Sequence, residues 1–553
     1  MSYAAGPQSE ARPVRLGTVQ PPVGFAQRNF CCGATASYVK NLRSGLAIFV
    51  SMTLWSACGS QRADEGGPSQ SSGNGAAVSQ SSGSGAGGQS SGGSTQGSGS
   101  SATSSGAGSS ATGSSASSGG GSVDAGEPVG AAATGAVTVD PGTVHQTIEG
   151  FGGSDAFAPT TKLTSAQAQL LFDPNSGIGL SMLRIGIDVN GSATNPNGYV
   201  MGGAGVYSDI KLAAALVPEG LNLWGTPWSP PAADKSNDSL DNGGTLDTGD
   251  YTAWSAYLAS VPAVIKAQTG VQLYAISAQN EPDFTATYAS CLFSAAQMVA
   301  FVKVLAPMLS ALTPPVSLIA AEPDAWSNTW GGSDYGTAIL ADPVASAAVN
   351  IIATHDYDHE SSDTPTRPSP PAGMTQRFWE TEMSDLSASN DVDMVDTSGG
   401  GLRTAIWIYA ALTTGGATAW HHWWLVSNSG AQGLLVASVT TPPKRYYTVG
   451  NFSKFVRPGY VRIDVGAGAP TGVYVIAFEN QSNATTVIVA INTNTTSTPL
   501  PVFVAGSSWP TSVTPYVTDE NNNLAAGTPI ALTSGNFSAS LTAQSVTTFV
   551  GAP

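Results

Sequence analysis

Basic residues are scarce in this chain. Twenty Lys and Arg stand against 37 Asp and Glu in 553 residues, for a formal net charge of −17. Nucleic-acid phosphates are bound by clustered Lys and Arg, and that scarcity argues against such a partner. Cysteine is scarce too: Cys31, Cys32, Cys58 and Cys291. The first three fall in or before a segment expected to be removed or modified. The folded region then keeps Cys291 alone, which excludes a disulfide framework there and reads as a buried structural thiol.

Long apolar runs are missing from the N-terminal part. Lys40 and Arg43 precede a short apolar core from Leu46 to Trp55, with Ser56-Ala57-Cys58 behind it. A basic flank, a short apolar core and small residues are the parts of an export signal. Spanning a bilayer takes about 20 apolar residues, more than this core holds. Small-small-Cys resembles the bacterial lipoprotein cleavage box, so residues 1–58 are expected to be a signal segment with Cys58 lipidated. The chain would then be held by a membrane tether at the outer cell surface; plain secretion is the alternative. Residues 59–132 are almost wholly Ser, Gly and Ala. Such a stretch cannot offset its ordering entropy and should be a flexible linker.

The rest of the chain is richly patterned. Apolar strand, loop and helix alternate from about residue 133 to 454, with eight candidate strands at 149–155, 181–188, 222–228, 273–281, 316–322, 351–357, 377–382 and 418–424. Helical stretches at 165–172, 251–269, 294–312 and 401–413 lie between them. Eight strand-helix units predict an α/β fold, a (β/α)8 TIM barrel. Residues 455–553 change to short alternating strands punctuated by Asn, Gly, Thr and Pro. They predict an attached β-sandwich side domain, which the strand at 136–139 is placed to join.

Polar and aromatic residues collect at the predicted strand ends: Asp155, Arg184, Trp228, Glu281, Glu322, His355, Tyr357, Glu382 and Trp424. The C-terminal end of the strands is the reactive face of such a barrel. Glu281 ends the fourth strand in Asn280-Glu281-Pro282, and Glu382 ends the seventh in Trp379-Glu-Thr-Glu382. Two carboxylates across a barrel mouth can cleave a glycosidic bond, one protonating the leaving oxygen and the other attacking the anomeric carbon. Glu380 and Glu382, two apart on a strand, are expected on one face. Glu382 lies nearer the rim and is the better nucleophile by position, with Glu380 an inward residue that Arg184 would partner. Adjacent strand residues point to opposite faces, so His421 and His422 are not expected to share a metal.

Six stretches in order resemble glycoside hydrolase family 30, above all its xylanase-type branches. They are Gln146-Thr-Ile-Glu-Gly-Phe-Gly-Gly-Ser154, Leu183-Arg-Ile185, Pro227-Trp-Ser-Pro-Pro231, Gln279-Asn-Glu-Pro282, Trp379-Glu-Thr-Glu382 and Ser453-Lys-Phe-Val-Arg-Pro-Gly-Tyr460. The resemblance implies a retaining hydrolase with Glu281 as acid/base and Glu382 as nucleophile, and no metal or other cofactor. It implies that Asn280 bonds the 2-hydroxyl of the attacked sugar, that His355 and Tyr357 lie at the sixth strand's end and that Trp424 lies at the eighth. Trp228 and Trp326 are candidate sugar platforms, Arg184 is a candidate organiser of the two acids, and Glu322 is read as a rim residue. The implied partner is a xylan-type polysaccharide, cut by a monomer. A β-1,6-glucanase or β-1,6-galactanase and a non-enzymatic polysaccharide-binding protein are the rival readings. Glucuronoxylan-specific relatives carry an Arg-bearing loop after the eighth-strand Trp pair. Here Trp423-Trp424 runs into Leu425-Val426-Ser427-Asn428 with no Arg, which puts dependence on uronic acid branches in doubt.

Overall fold

A computed structural model describes residues 130–552, apart from 158–161, 332–333, 387–391, 397–398, 429, 431, 438–439 and 507–508. The expected signal segment, Cys58 and the expected linker as far as residue 129 lie outside the described residues. Strand β1 (Val137–Thr147) belongs to the side domain. The barrel follows as β2 (Gly150–Ser154), β3 (Met182–Ile187), β4 (Asn222–Pro227), β5 (Ala275–Ser277), β6 (Ser317–Ala321), β7 (Ile351–His355), β8 (Arg377–Glu382) and β9 (Ala419–Ser427). Each pairs in parallel with the next, β9 closes the ring against β2, and a short strand β10 (Gly433–Val436) adds to β9 in parallel.

Both faces of these strands are buried, which is why they read as apolar runs. Leu183, Ile185, Leu223, Ile276, Leu318, Ile352, Phe378 and Trp420 face outward into the core shared with the helices. In alternation with them, Met182, Trp224, Ala275, Ile319, Ile351, Ala353, Trp379 and Ala419 form a separate cluster that fills the barrel. One step of two residues further along, this inner column turns polar: Arg184 above Met182, Thr226 above Trp224, Ser277 above Ala275, His355 above Ala353 and His421 above Ala419. The floor is thus apolar and the layer above it is chemical.

The helices start where their caps allow. Thr164 with Gln167, and Ser294 with Gln297, form reciprocal capping boxes for Ser165–Phe172 and Ala295–Ser310, satisfying amides that the first turn leaves open. Helix Tyr251–Thr269 ends at Gly270, whose φ of 80° is the left-handed C-terminal conformation that glycine adopts without steric cost.

The attached side domain is a ten-stranded, mostly antiparallel sheet curled over its own core. β11 (Val461–Val465), β12 (Val473–Asn480) and β13 (Thr485–Asn492) are antiparallel neighbours; β1 joins between β11 and β14 (Thr498–Val504), antiparallel to one and parallel to the other. On β12 and β13, Val475, Ala477, Ile488 and Ala490 face this core, whereas Ile476, Phe478, Val487 and Val489 join the barrel's core. Helix Lys444–Ser453 binds the two parts: Asn451 Nδ2 donates to Thr548 Oγ1 at 2.9 Å and to the Tyr516 carbonyl at 3.1 Å.

Candidate active site

Arg184, on β3, has no exposure to water. One guanidinium nitrogen, Nη1, donates to Glu382 Oε2. The other, Nη2, donates to Asn280 Oδ1 at 2.6 Å and to Glu322 Oε1 at 2.8 Å. The rings of Trp228, Trp224 and Trp423 surround it, with centroids 4.7, 5.2 and 5.6 Å from the guanidinium carbon. Burial alone would lower the Arg184 pKa; the charges of Glu322 and Glu382 outweigh it and hold it raised.

Glu281 lies four residues past the end of β5, where a longer strand was expected; its φ is 42°. Left-handed backbone is uncommon outside glycine. Here two backbone bonds fix it: Asn280 N–H donates to the Pro227 carbonyl at 3.0 Å and Glu281 N–H to the Glu322 carbonyl at 3.0 Å. The Glu281 carboxyl meets His355 Nδ1 at 3.1 Å. Burial pushes its pKa up, His355 opposes this, and the Glu382 charge adds to the rise.

Glu382 accepts from Arg184 on Oε2 and from the Tyr357 hydroxyl on Oε1, the latter at 2.9 Å. His355 is fully buried, with Nε2 at 3.6 Å from Glu322 and 3.8 Å from Glu382. Burial alone would lower its pKa; the Glu382 charge and the bonds to Glu281 and Glu322 hold it well above the ordinary value. Carboxylate oxygens of Glu281 and Glu382 and a ring nitrogen of His355 all lie within 4.8 Å of one another. These three offer a donor set for a metal, as do Asp356, Asp358 and His359. In both sets the donors already have protein partners: Arg367 Nε sits on both Asp356 oxygens, and Asp358 accepts the amides of Trp326 and Ser327.

The structure brings Arg184, Asn280, Glu281, His355, Tyr357 and Glu382 together, with Trp228 and Trp424 beside them. Trp228 is 2% exposed and is packed between Arg184, Phe157 and Trp423, as part of the wall that dries the guanidinium. Trp424 stacks on Trp423 and its Nε1 donates to the Ala156 carbonyl at 2.7 Å. Trp326 is not a platform. It is fully buried outside the barrel, edge-on to Phe378, with Nε1 donating to the Pro368 carbonyl at 2.9 Å.

Two carboxylates depart from expectation. Glu380 does not partner Arg184. The β7–β8 register slips between Glu380 and Glu382, a bulge that breaks the alternation meant to place both on one face. Glu380 fills the gap and accepts the amides of Glu382 at 3.0 Å and His421 at 2.9 Å. Glu322 is no rim residue but fully buried at the centre. Counting by twos from Ile319 points it outward; positive φ at Ala321 (78°) and Glu322 (53°) turns it in. His421 and His422 do face opposite sides. His421 Nε2 accepts from Trp224 Nε1 at 3.1 Å inside the barrel, whereas the His422 ring lies near outward-facing Trp420; burial lowers their pKa values to about 4 and about 3. Tyr288 and Asp324 also border the site, unremarked in the sequence. Burial, then the Glu281 charge, pushes the Asp324 carboxyl to about 8.

No family model matches the chain. Glucuronoxylanase XynC of Bacillus subtilis (strain 168) is 32% identical over 419 residues, covering 75% of this chain and 91% of that protein. Among solved structures, the glycoside hydrolase family 30 subfamily 8 xylanase Xyn30A of Clostridium acetobutylicum is similar at a TM-score of 0.65 and 30% identity, over 76% of this chain and all of that one. A GH30 endoxylanase from Clostridium papyrosolvens C71 matches at 0.63 and 30% over the same shares.

The placement of Trp326 is open to test. Trp326→Phe should lose roughly 2 kcal/mol of stability in urea unfolding, from the lost indole bond and volume, with KM unchanged. A platform residue would instead raise KM with little loss of stability.

Proposed function

Because the chain belongs to glycoside hydrolase family 30, we propose that it is a retaining endo-xylanase that cuts the β-1,4-xylan backbone by double displacement. The observation that carries this reading is the approach of Glu281 and Glu382, whose carboxylate oxygens lie within 4.8 Å. Retaining enzymes hold the two carboxyl groups about 5–5.5 Å apart, whereas inverting ones leave about 6.5–9.5 Å for a water.

The chemistry divides by environment. Glu382, facing Arg184 and bonded by Tyr357, is held as the carboxylate that attacks the anomeric carbon. Glu281, buried and titrating high, keeps its proton for the leaving oxygen as the glycosidic bond breaks. Its carboxylate then takes a proton from water, which attacks the glycosyl ester and frees Glu382. Arg184 occupies the Asn280 carbonyl oxygen, so the amide NH2 is the end that donates to a sugar 2-hydroxyl. Trp423 and Trp424 supply apolar wall for the pyranose faces. The N-terminal segment supports export, with Cys58 as the lipid anchor.

The charge pattern favours a neutral stretch of backbone. Gripping a uronic carboxylate takes a cation with donors to spare. Among the described residues after the strand ends, Lys235 donates to Ser229 Oγ and to the Leu240 and Ser290 carbonyls. Arg367 is bound to Asp356 and Arg403 to Asp363. Lys162, in the loop after β2, is exposed.

Glu382→Gln should abolish turnover of xylan, and Glu281→Gln should cost about 10²–10⁴-fold in kcat, both with wild-type circular dichroism. Substantial residual activity in the first rejects Glu382 as the nucleophile. On a panel of unsubstituted xylan, glucuronoxylan, arabinoxylan, β-1,6-glucan and β-1,6-galactan, the xylans should be cut at comparable rates and the 1,6-linked polymers left intact. Strict dependence on uronic branches would overturn the neutral-backbone reading and make Lys162 the residue to mutate.

A further inference from the structure

We propose that Glu322 is a positioning residue of the hydrolase, a permanent buried anion that balances Arg184 and His355 and so sets the working protonation of both catalytic glutamates. The inference rests on the roles of Glu281 and Glu382 given above.

Its geometry singles it out. Glu322 is fully buried and reaches no substrate space, yet it meets Arg184, His355 and the Glu281 backbone. Oε1 accepts from Arg184 Nη2 at 2.8 Å and lies 3.6 Å from His355 Nε2. Oε2 accepts from the Ser277 hydroxyl, and both oxygens lie 3.4 Å from Thr226 Oγ1. Its backbone carbonyl accepts the Glu281 amide at 3.0 Å, so it also holds the acid/base residue. The backbone takes left-handed conformations at both Ala321 and Glu322 to deliver this side chain. Such conformations outside glycine persist only where their surroundings enforce them, and they cluster at functional sites.

The charge balance explains the need. Around the centre stand Arg184 on β3, Glu281 beyond β5, His355 on β7, Glu382 on β8 and His421 on β9. His421 is held neutral by burial. Asp324, Glu380, Tyr288 and Tyr357 also border the centre, and burial raises the Asp324 and Glu380 carboxyls toward their neutral forms. With His355 protonated and Glu281 neutral, Glu382 and Glu322 are then the carboxylates set against the two cations. Without Glu322, Glu382 would carry the attraction of both cations and lose nucleophilicity. Glu281 and His355 would each give up a proton at lower pH.

Glu322→Gln keeps the shape and removes the charge. The expected result is a kcat reduced roughly tenfold or more, KM little changed, and both limbs of the pH–rate profile moved toward acid. In ¹⁵N NMR of labelled histidine, His355 should deprotonate at lower pH than in the wild type. Glu322→Asp retains the charge on a shorter arm and should restore the limbs while kcat stays several-fold low. A folded Glu322→Gln enzyme with wild-type limbs and an unmoved His355 titration overturns the proposal. Should Glu322→Gln fail to fold, Glu322→Asp decides alone, and wild-type kcat there overturns it. If the wild type turns over none of the polymers, the assigned activity fails, while the His355 titration still judges Glu322.

Discussion

A guanidinium sealed from water at the top of the barrel is the constraint on which the site depends. Burying an unpaired charge costs several kcal/mol, so Arg184 dictates what surrounds it. Carboxylates reach it from the end of β8 and from just past β6, a carboxamide from past β5, and tryptophan rings from β3's neighbours close the remaining sides. Anchoring several strand ends to one planar fork fixes their relative positions. The proposed catalytic pair inherits that rigidity, because Glu382 bonds Arg184 directly and Glu281 follows Asn280 in sequence.

The two glutamates differ in what each touches, and their proposed roles follow from that. Glu382 meets the fixed cation and a tyrosine hydroxyl. Glu281 meets His355 in a dry environment, and burial wins there. His355 couples them, since one ring nitrogen faces Glu281 and the other faces Glu322 and Glu382. A proton moved at one carboxylate is therefore felt at the other, the electrical linkage that the acid/base role proposed for Glu281 requires.

Much of this architecture is legible in the residues alone. Strands buried on both faces write themselves as short apolar runs, so the eight barrel strands lie within a few residues of their expected ends; β5 is the exception, its ladder stopping at Ser277. Arg184 and His355 follow from alternation, which holds wherever a strand is regular. The misses share one cause: the backbone stops alternating. A bulge on β8 separates Glu380 from Glu382, and two left-handed residues after β6 bring Glu322 inside. Neither leaves a local mark in residue type. Trp326 was misplaced for another reason, since an indole suits a core and a sugar equally and only the fold decides. The central strands of the side domain are apolar on both faces, one toward its own core and one toward the barrel.

The central claim is that Glu281 and Glu382 stand close enough for direct attack, with no room for an intervening water. The configuration of the first-formed product tests it. ¹H NMR recorded during the opening minutes of xylan hydrolysis should show the β-anomer of the new reducing end appearing first, followed by slow mutarotation. Initial appearance of the α-anomer would mean inversion and would contradict the account.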